Sequence, residues 1–229
     1  MTFSQRIIGF VLKSITIFLF RVDATPLAAV PAKGPLILIT NHVHMPEIPT
    51  LFLRLTPRKV TGMLLASRWD NPLFRWMLNA FHIVPLKRGE ADLAGLRKGL
   101  EMLAQDYIVI LDPEGTRSHT GILQAGRPGM VLMALRSGAP LIPVVHYGSE
   151  NYKHNIVRGR RTDFHFVVGR PFHIKPQTAS ELHDHRDAIV TEVMAQMAAL
   201  LPPEYRGAYA DTPVTTEFLS FDVGSSPQV

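Results

Sequence analysis

The sequence predicts one α/β domain with a mostly parallel or mixed central sheet flanked by helices. Three observations carry this. From Pro35 onward, short apolar runs rich in β-branched residues alternate with segments of helical spacing. No internal repeat or low-complexity linker divides the 229 residues, a length that suits one domain with a full core. Hydrophobic residues make up 46% against 19% charged, the balance of a globular chain with a somewhat apolar surface.

In chain order, PLILIT (35–40) reads as a fully buried strand. IPTLFLRL (48–55) reads as a helix ending before Pro57, and RKVTGMLLA (58–66) as a second strand. PLFRWMLNAF (72–81) follows Asn71 with proline in its first turn, a helix start. Trp69 and Trp76, with Leu73 and Met77, would share a helix face and join the core. HIVPLKR (82–88) returns as a strand. In EADLAGLRKGLEMLAQD (90–106), Leu93, Leu96, Leu100 and Leu103 fall at helical spacing. YIVILD (107–112) is another buried strand, and RPGMVLMALRSG (127–138) a helix closed by glycine. APLIPVVHYG, DFHFVVGRPFHI and the helix TASELHDHRDAIVTEVMAQMAALL complete the series, and the polar tail is expected to be loosely ordered.

The absence of cysteine excludes disulfides, thiolate catalysis and Cys-type zinc or iron–sulfur sites. A net charge of +5 with pI near 9.7 favours anionic partners. At the N-terminus, IIGFVLKSITIFLF lies between Arg6 and Arg21. As a helix it would span about 21 Å, short of the ~30 Å hydrocarbon core, and Lys13 interrupts it. Arg6, Lys13 and Arg21 fall within roughly 80° of one another around the helix, opposite Ile7, Ile8, Val11, Leu12, Ile15, Phe18, Leu19 and Val22, with Phe10, Ile17 and Phe20 intruding on the basic face. That pattern predicts an amphipathic membrane-associating helix lying in the interface of an anionic membrane surface. A core-packed helix and a signal peptide cleaved near LAAVPA are the other two readings. The expected organisation is an interfacial helix over 1–24, the α/β domain over 25–205 and a loose tail over 206–229.

Ligands of α/β sheets gather beyond the carboxyl ends of the strands. Three polar stretches succeed apolar strands: NHVHMPE after PLILIT, KRGEAD after HIVPL, and PEGTRS after YIVILD. They are expected to line one cleft. His42 and Glu47 sit five apart across a loop that opens a helix, so the carboxylate can return to the imidazole. Such a carboxylate fixes the ring's tautomer and supports the imidazolium formed when the other nitrogen takes a proton. KRGEAD offers Lys87 and Arg88. PEGTRS offers Arg117, the Thr116 and Ser118 hydroxyls, and Gly115 for close backbone approach, a set suited to holding an anion.

NHVHMPEIP, IVPLKR, PEGTRS and APLIPV occur in the order and approximate spacing of the four motifs of the glycerolipid acyltransferase family, which this chain resembles from about Gly34 to Gly148. The branch it looks most like is 1-acylglycerol-3-phosphate acyltransferase. The resemblance implies that His42 deprotonates the acceptor's free hydroxyl for attack on the thioester of acyl-CoA or an acyl-carrier protein, while Glu47 holds the imidazole. It implies that Arg88, Glu114, Gly115, Thr116 and Arg117 position a lysophospholipid acceptor, with the two arginines facing its phosphate. Pro143 would help shape the acyl-chain side. It also implies attachment through the N-terminal helix at the cytoplasmic face of the cell membrane, with no metal and no cofactor beyond the acyl donor. The chain departs from the pattern at Glu47, where the family has aspartate, at His44 for serine, at His82 for glycine, and at Asp112 for an apolar or aromatic residue.

Three rivals stand beside this reading. His-x-His after an apolar strand resembles the metal site of amidohydrolase barrels, with His146 as a third ligand, although such a barrel typically needs about 250 residues. A non-catalytic lipid-binding protein would keep the basic N-terminus without depending on His42. No recognition fold for nucleic acid accompanies the basic patch at Arg158, Arg160 and Arg161, which reads as a surface loop.

Overall fold

The computed structural model describes residues 3–43, 47–87, 92–118 and 120–221. Its elements are α1 (Phe3–Leu19), β1 (Phe20–Asp23), β2 (Leu36–Ile39), α2 (Glu47–Leu55), β3 (Val60–Leu65), α3 (Pro72–Ala80), β4 (Val84–Leu86), α4 (Leu93–Ala104), β5 (Ile108–Leu111), α5 (Gly129–Ser137), β6 (Leu141–Tyr147), α6 (Tyr152–Val157), β7 (Thr162–Val168), β8 (Phe172–Ile174), α7 (Ala179–Ala199) and β9 (Leu219–Phe221). Among the described residues the strands form one sheet in the order β1-β7-β6-β2-β5-β3-β4, with β8 pairing both β6 and β9. β6 to β2, β2 to β5, β5 to β3 and β3 to β4 are parallel, whereas β6 to β7, β6 to β8 and β8 to β9 are antiparallel. The sheet is therefore mixed, with a parallel centre as expected.

Side chains alternate across a strand, and β2 displays this. Leu36 and Leu38 join a core layer with Leu51 and Leu55 of α2. Ile37 and Ile39 join the opposite layer with Met102 of α4, Met133 of α5 and Val193 of α7. Both faces of the central strands are covered, which is why they read as unbroken apolar runs. Local capping agrees with the sequence: Asn71 caps α3 by accepting from Leu73 and Phe74 N–H, and Thr178 and Glu181 form a capping box on α7. Gly138 closes α5 in the left-handed conformation.

Several expectations are corrected. The N-terminal helix stops at Leu19, and Phe20–Asp23 is a strand paired with β7, so Arg21 leaves the helical face and meets Asp163 at 2.6 Å. α1 buries a narrow stripe of Ile8, Gly9 and Thr16 and packs on α2 and α3, with Gln5 donating to the carbonyl of Ala80 at 2.7 Å. Of the expected apolar face, Ile8 is buried and Leu12 and Leu19 half-buried, while Phe3, Phe10, Ile17 and Phe18 face outward among the exposed Arg6 and Lys13. Trp69 lies in a 3-10 turn before α3 and donates to Asn79, while Leu73 and Trp76 are exposed, so this group is not core. In the segment expected to be loose, Tyr209 and Leu219 are buried and β9 closes the sheet beside β8. No helix among the described residues is long and apolar enough to cross a membrane.

Candidate active site

Parallel register brings the carboxyl ends of β2, β5 and β6 together: Ile39 lies beside Leu111 on one side and Pro143 on the other. The loop after β2 carries His42, and the loop after β5 carries PEGTRS. They are joined through the backbone of His42. Its N–H donates to Glu114 Oε1 at 2.9 Å, and its carbonyl accepts the Ser118 N–H at 2.7 Å. Two of the three polar stretches therefore share one cleft through direct bonds.

Glu47 is the first residue of α2, where the helix dipole favours an acid. It is 1% exposed. Oε2 accepts the Val43 N–H at 2.9 Å and lies 3.7 Å from His42 Nδ1. That separation is an ion-pair distance, longer than a 2.7–3.2 Å hydrogen bond. The reason lies on the far side. Ser149 Oγ donates to Glu47 Oε1 at 2.8 Å, and His146 Nε2 is 3.6 Å from Oε2. The extra methylene of glutamate carries its carboxylate toward the end of β6. His42 Nδ1 is fully buried toward Glu47, so the part of the side chain that is 19% exposed lies away from that nitrogen.

His146 is buried between the strand ends. Its Nε2 is 2.6 Å from the Asn41 carbonyl, and since a carbonyl only accepts, that nitrogen carries the hydrogen. The Asn41 side chain bonds both the N–H and the carbonyl of His146 at 2.9 Å, continuing the β2–β6 pairing with an amide. Burial pushes the His146 pKa down, and Glu47 only partly opposes this. The ring stays neutral against Phe164 and Phe166.

Glu114 is buried, and its oxygens are taken by His42 N–H, Gln124 N–H and Gln124 Nε2. These bonds tie PEGTRS to the histidine loop. Burial raises its pKa, and these hydrogen bonds oppose the rise. Asp112, in front of Pro113, is pushed up to about 7, first by burial and then by the neighbouring Glu114 carboxylate. Gly115 has φ +66. The left-handed φ favours glycine, and a Cβ there would fall 2.7 Å from Arg127 Cδ and displace that side chain. Thr116 is exposed and Arg117 half-buried, directly before the Ser118 amide that bonds His42. Arg88 and His44 lie outside the described residues. Lys87, just before Arg88, comes after β4 on the same sheet edge, three strands from β2.

Asn41, Asp112, Gln124, Arg127, His146 and Ser149 also contribute to this region, beyond the site residues that the motifs indicate. For His146 and Ser149 the signal existed: HYGSE is a polar stretch at the carboxyl end of an apolar strand. Among the described residues, no cluster of three or more His, Asp or Glu side chains is placed to hold a metal. The nitrogen of His146 nearest the site is engaged by Asn41.

A mixed sheet whose carboxyl edge joins an acid-paired histidine to a Pro-Glu-Gly-Thr-Arg-Ser loop has the architecture of an acyltransferase. The chain belongs to the acyltransferase family, whose model matches residues 21–147. It is 24% identical over 186 residues to the 1-acyl-sn-glycerol-3-phosphate acyltransferase of Pseudomonas aeruginosa, covering 79% of this chain and 71% of that one. It is 23% identical over 166 residues to the Bacillus subtilis enzyme of the same name, covering 72% and 80%. The crystal structure of the 1-acyl-sn-glycerophosphate (LPA) acyltransferase PlsC from Thermotoga maritima shares the fold, with a TM-score of 0.54 at 23% identity over 83% of this chain and 80% of that one.

Proposed function

We propose that this protein transfers a fatty acyl group from acyl-CoA or acyl-carrier protein to the free hydroxyl of 1-acylglycerol-3-phosphate, yielding phosphatidic acid for phospholipid biosynthesis. The observation that supports the reading is the bonding of the His42 backbone to both Glu114 and Ser118, which joins the loop of the acid-paired imidazole to the PEGTRS loop that carries Arg117. His42 Nε2 takes the acceptor's hydroxyl proton as the oxygen attacks the thioester carbonyl. The tetrahedral intermediate then collapses, the C–S bond breaks, and the thiolate leaves with the proton from the imidazolium. Glu47 supports the imidazolium between these steps. No protein nucleophile or cofactor is needed, because the acceptor supplies the oxygen.

Arg117 and Arg88 serve as the phosphate clamp, with Thr116 and the Gly115 backbone beside them. The outward apolar side of α1 rests in the interface of an anionic membrane at its cytoplasmic face, bringing the site to its lipid substrates. Incubating the protein with acyl-CoA and 1-acylglycerol-3-phosphate, and monitoring free CoA and product lipid, tests the reading. His42→Ala is expected to lower turnover by about 10²–10⁴-fold, and undiminished product would end the assignment. Arg117→Ala is expected to raise KM for the acceptor with little change in kcat. Equal turnover of a 1-acylglycerol lacking the phosphate would remove the clamp.

A further inference from the structure

The outward apolar surface of α1 continues onto an element beyond the family match. Phe18 is 78% exposed near the end of α1, and Val157, at the end of α6, is 88% exposed, with Ile156 exposed beside it. Between them runs an open groove of about 620 Å³, lined by Phe18, Leu19, Ile156, Arg160 and Arg161 among others. Arg161 holds the two sides together by donating from Nε to the Phe20 carbonyl at 3.2 Å. Gly159, at φ +63, turns the chain between Arg158 and Arg160. Both of these arginines are exposed, and neither has a carboxylate partner among the described residues. Arg21 nearby is neutralised by Asp163.

Register places this tip relative to the chemistry. β7 runs antiparallel to β6 with His165 opposite Tyr147, so the Arg158–Arg161 turn leaves the sheet at the edge where β6 ends in Gly148 and Ser149. Phe20 pairs with Thr162, so the end of α1 reaches the same edge. The groove, the basic turn and the loops around His42 therefore share one rim.

We infer that the tip of α6 is a second membrane contact, specific for anionic bilayers: Ile156 and Val157 enter the interface beside Phe18, and Arg158 and Arg160 bind lipid phosphates. The inference rests on the membrane placement of α1 proposed above and adds the element that turns the catalytic rim toward the bilayer. Two features favour a bilayer as occupant. Exposed apolar side chains recur along the whole of α1, from Phe3 through Phe10 to Phe18, with Arg6 and Lys13 exposed among them, a mixed apolar and basic surface of the kind a bilayer interface accepts. The two unpaired guanidinium groups complement a negative surface, each contributing about 5-fold to binding there. An acidic acyl-carrier protein is the competing occupant.

The test uses the full chain and vesicle flotation, comparing phosphatidylcholine vesicles with vesicles containing one-third phosphatidylglycerol. R158A/R160A is expected to weaken partition to the anionic vesicles by ~30-fold, with no change on phosphatidylcholine. V157D is expected to weaken both. Turnover of a short-chain acceptor in free solution should stay at the parent level for both variants, as should their thermal midpoints. Unchanged partition of R158A/R160A overturns the proposal, as does failure of the parent chain to bind anionic vesicles. A raised KM for acyl-carrier protein with unaltered vesicle binding overturns it in favour of the carrier. Tip-dependent vesicle binding in a chain lacking acyltransferase activity would uphold this inference while removing the proposed reaction.

Discussion

Ser149 Oγ donates to Glu47 Oε1 at 2.8 Å across 102 positions of chain, and both residues are 1% exposed. A buried carboxylate left short of a donor bears the desolvation cost in full, and here the Ser149 bond fixes one oxygen of Glu47 while the other lies 3.7 Å from His42 Nδ1. Ser149→Ala is expected to lower kcat by about 10-fold with KM nearly unchanged, from a loss of roughly 1–2 kcal/mol in orientation. Because the hydroxyl acts through Glu47, the effects of Ser149→Ala and Glu47→Gln should fall well short of additive in a double-mutant cycle. Additive losses would detach Ser149 from the catalytic pair.

Glu47→Asp restores the residue typical of the family, yet activity is expected to fall by about 10-fold here. The shorter side chain cannot keep both Ser149 and the Val43 amide, which now fix the carboxylate. Steady-state kcat for the variant decides the point, and parental turnover would show that the longer reach has no role.

Asp112 predicts a pH-dependent stability. Its folded pKa is about 7 and an unfolded aspartate titrates near 4. Between these values the native chain keeps a proton that the unfolded chain has lost, so stability falls as pH rises from about 4 to about 7 and then levels. Glu114, also raised, acts with the same sign. Asp112→Asn should flatten this fall, worth about 1–3 kcal/mol. Urea midpoints at pH 5 and pH 8, compared between parent and variant, read the effect directly.

His82 stands where the motif resemblance leads to an expectation of glycine, and its backbone conformation is one that suits glycine. Its φ is +56, a left-handed conformation held by the Thr61 hydroxyl, which donates to its carbonyl at 2.7 Å. His82→Gly is expected to leave stability unchanged or raise it by up to about 1 kcal/mol, whereas His82→Val should cost about 1–2 kcal/mol. Thermal melts should place His82→Val below the parent and His82→Gly at or above it.

Gly115→Ala places a Cβ against Arg127 in a left-handed turn. The expected outcome is a loss of about 1–2 kcal/mol of stability and a raised KM for the phosphorylated acceptor. Denaturation and kinetics on the same preparation separate the two effects.

Much of the site is legible in the sequence because its signals are local. PLILIT and YIVILD announce buried strands, and the loops beyond the carboxyl ends of such strands line the cleft of an α/β sheet. His42 and Glu47 are five positions apart in the sequence, so their proximity needs only a short length of chain. The bonds of Glu114 to the His42 amide on a neighbouring loop and to Gln124 were not legible, because they depend on strand pairing rather than on local spacing. The spacing in α1 suggests one apolar face and one basic face, yet its contact with the fold is a narrow stripe set by α2 and α3.

Strand–helix alternation, the acyltransferase motifs and the acid–histidine pairing were fixed at the level of sequence, since period, turn chemistry and short-range spacing are properties of a few consecutive residues. Folding in three dimensions was needed to bring Ser149 and His146 onto Glu47, to bond Glu114 to the backbone of His42, and to set the α6 tip against the end of α1. Those contacts depend on which strands pair and in what register, and burial across the whole sheet settles both.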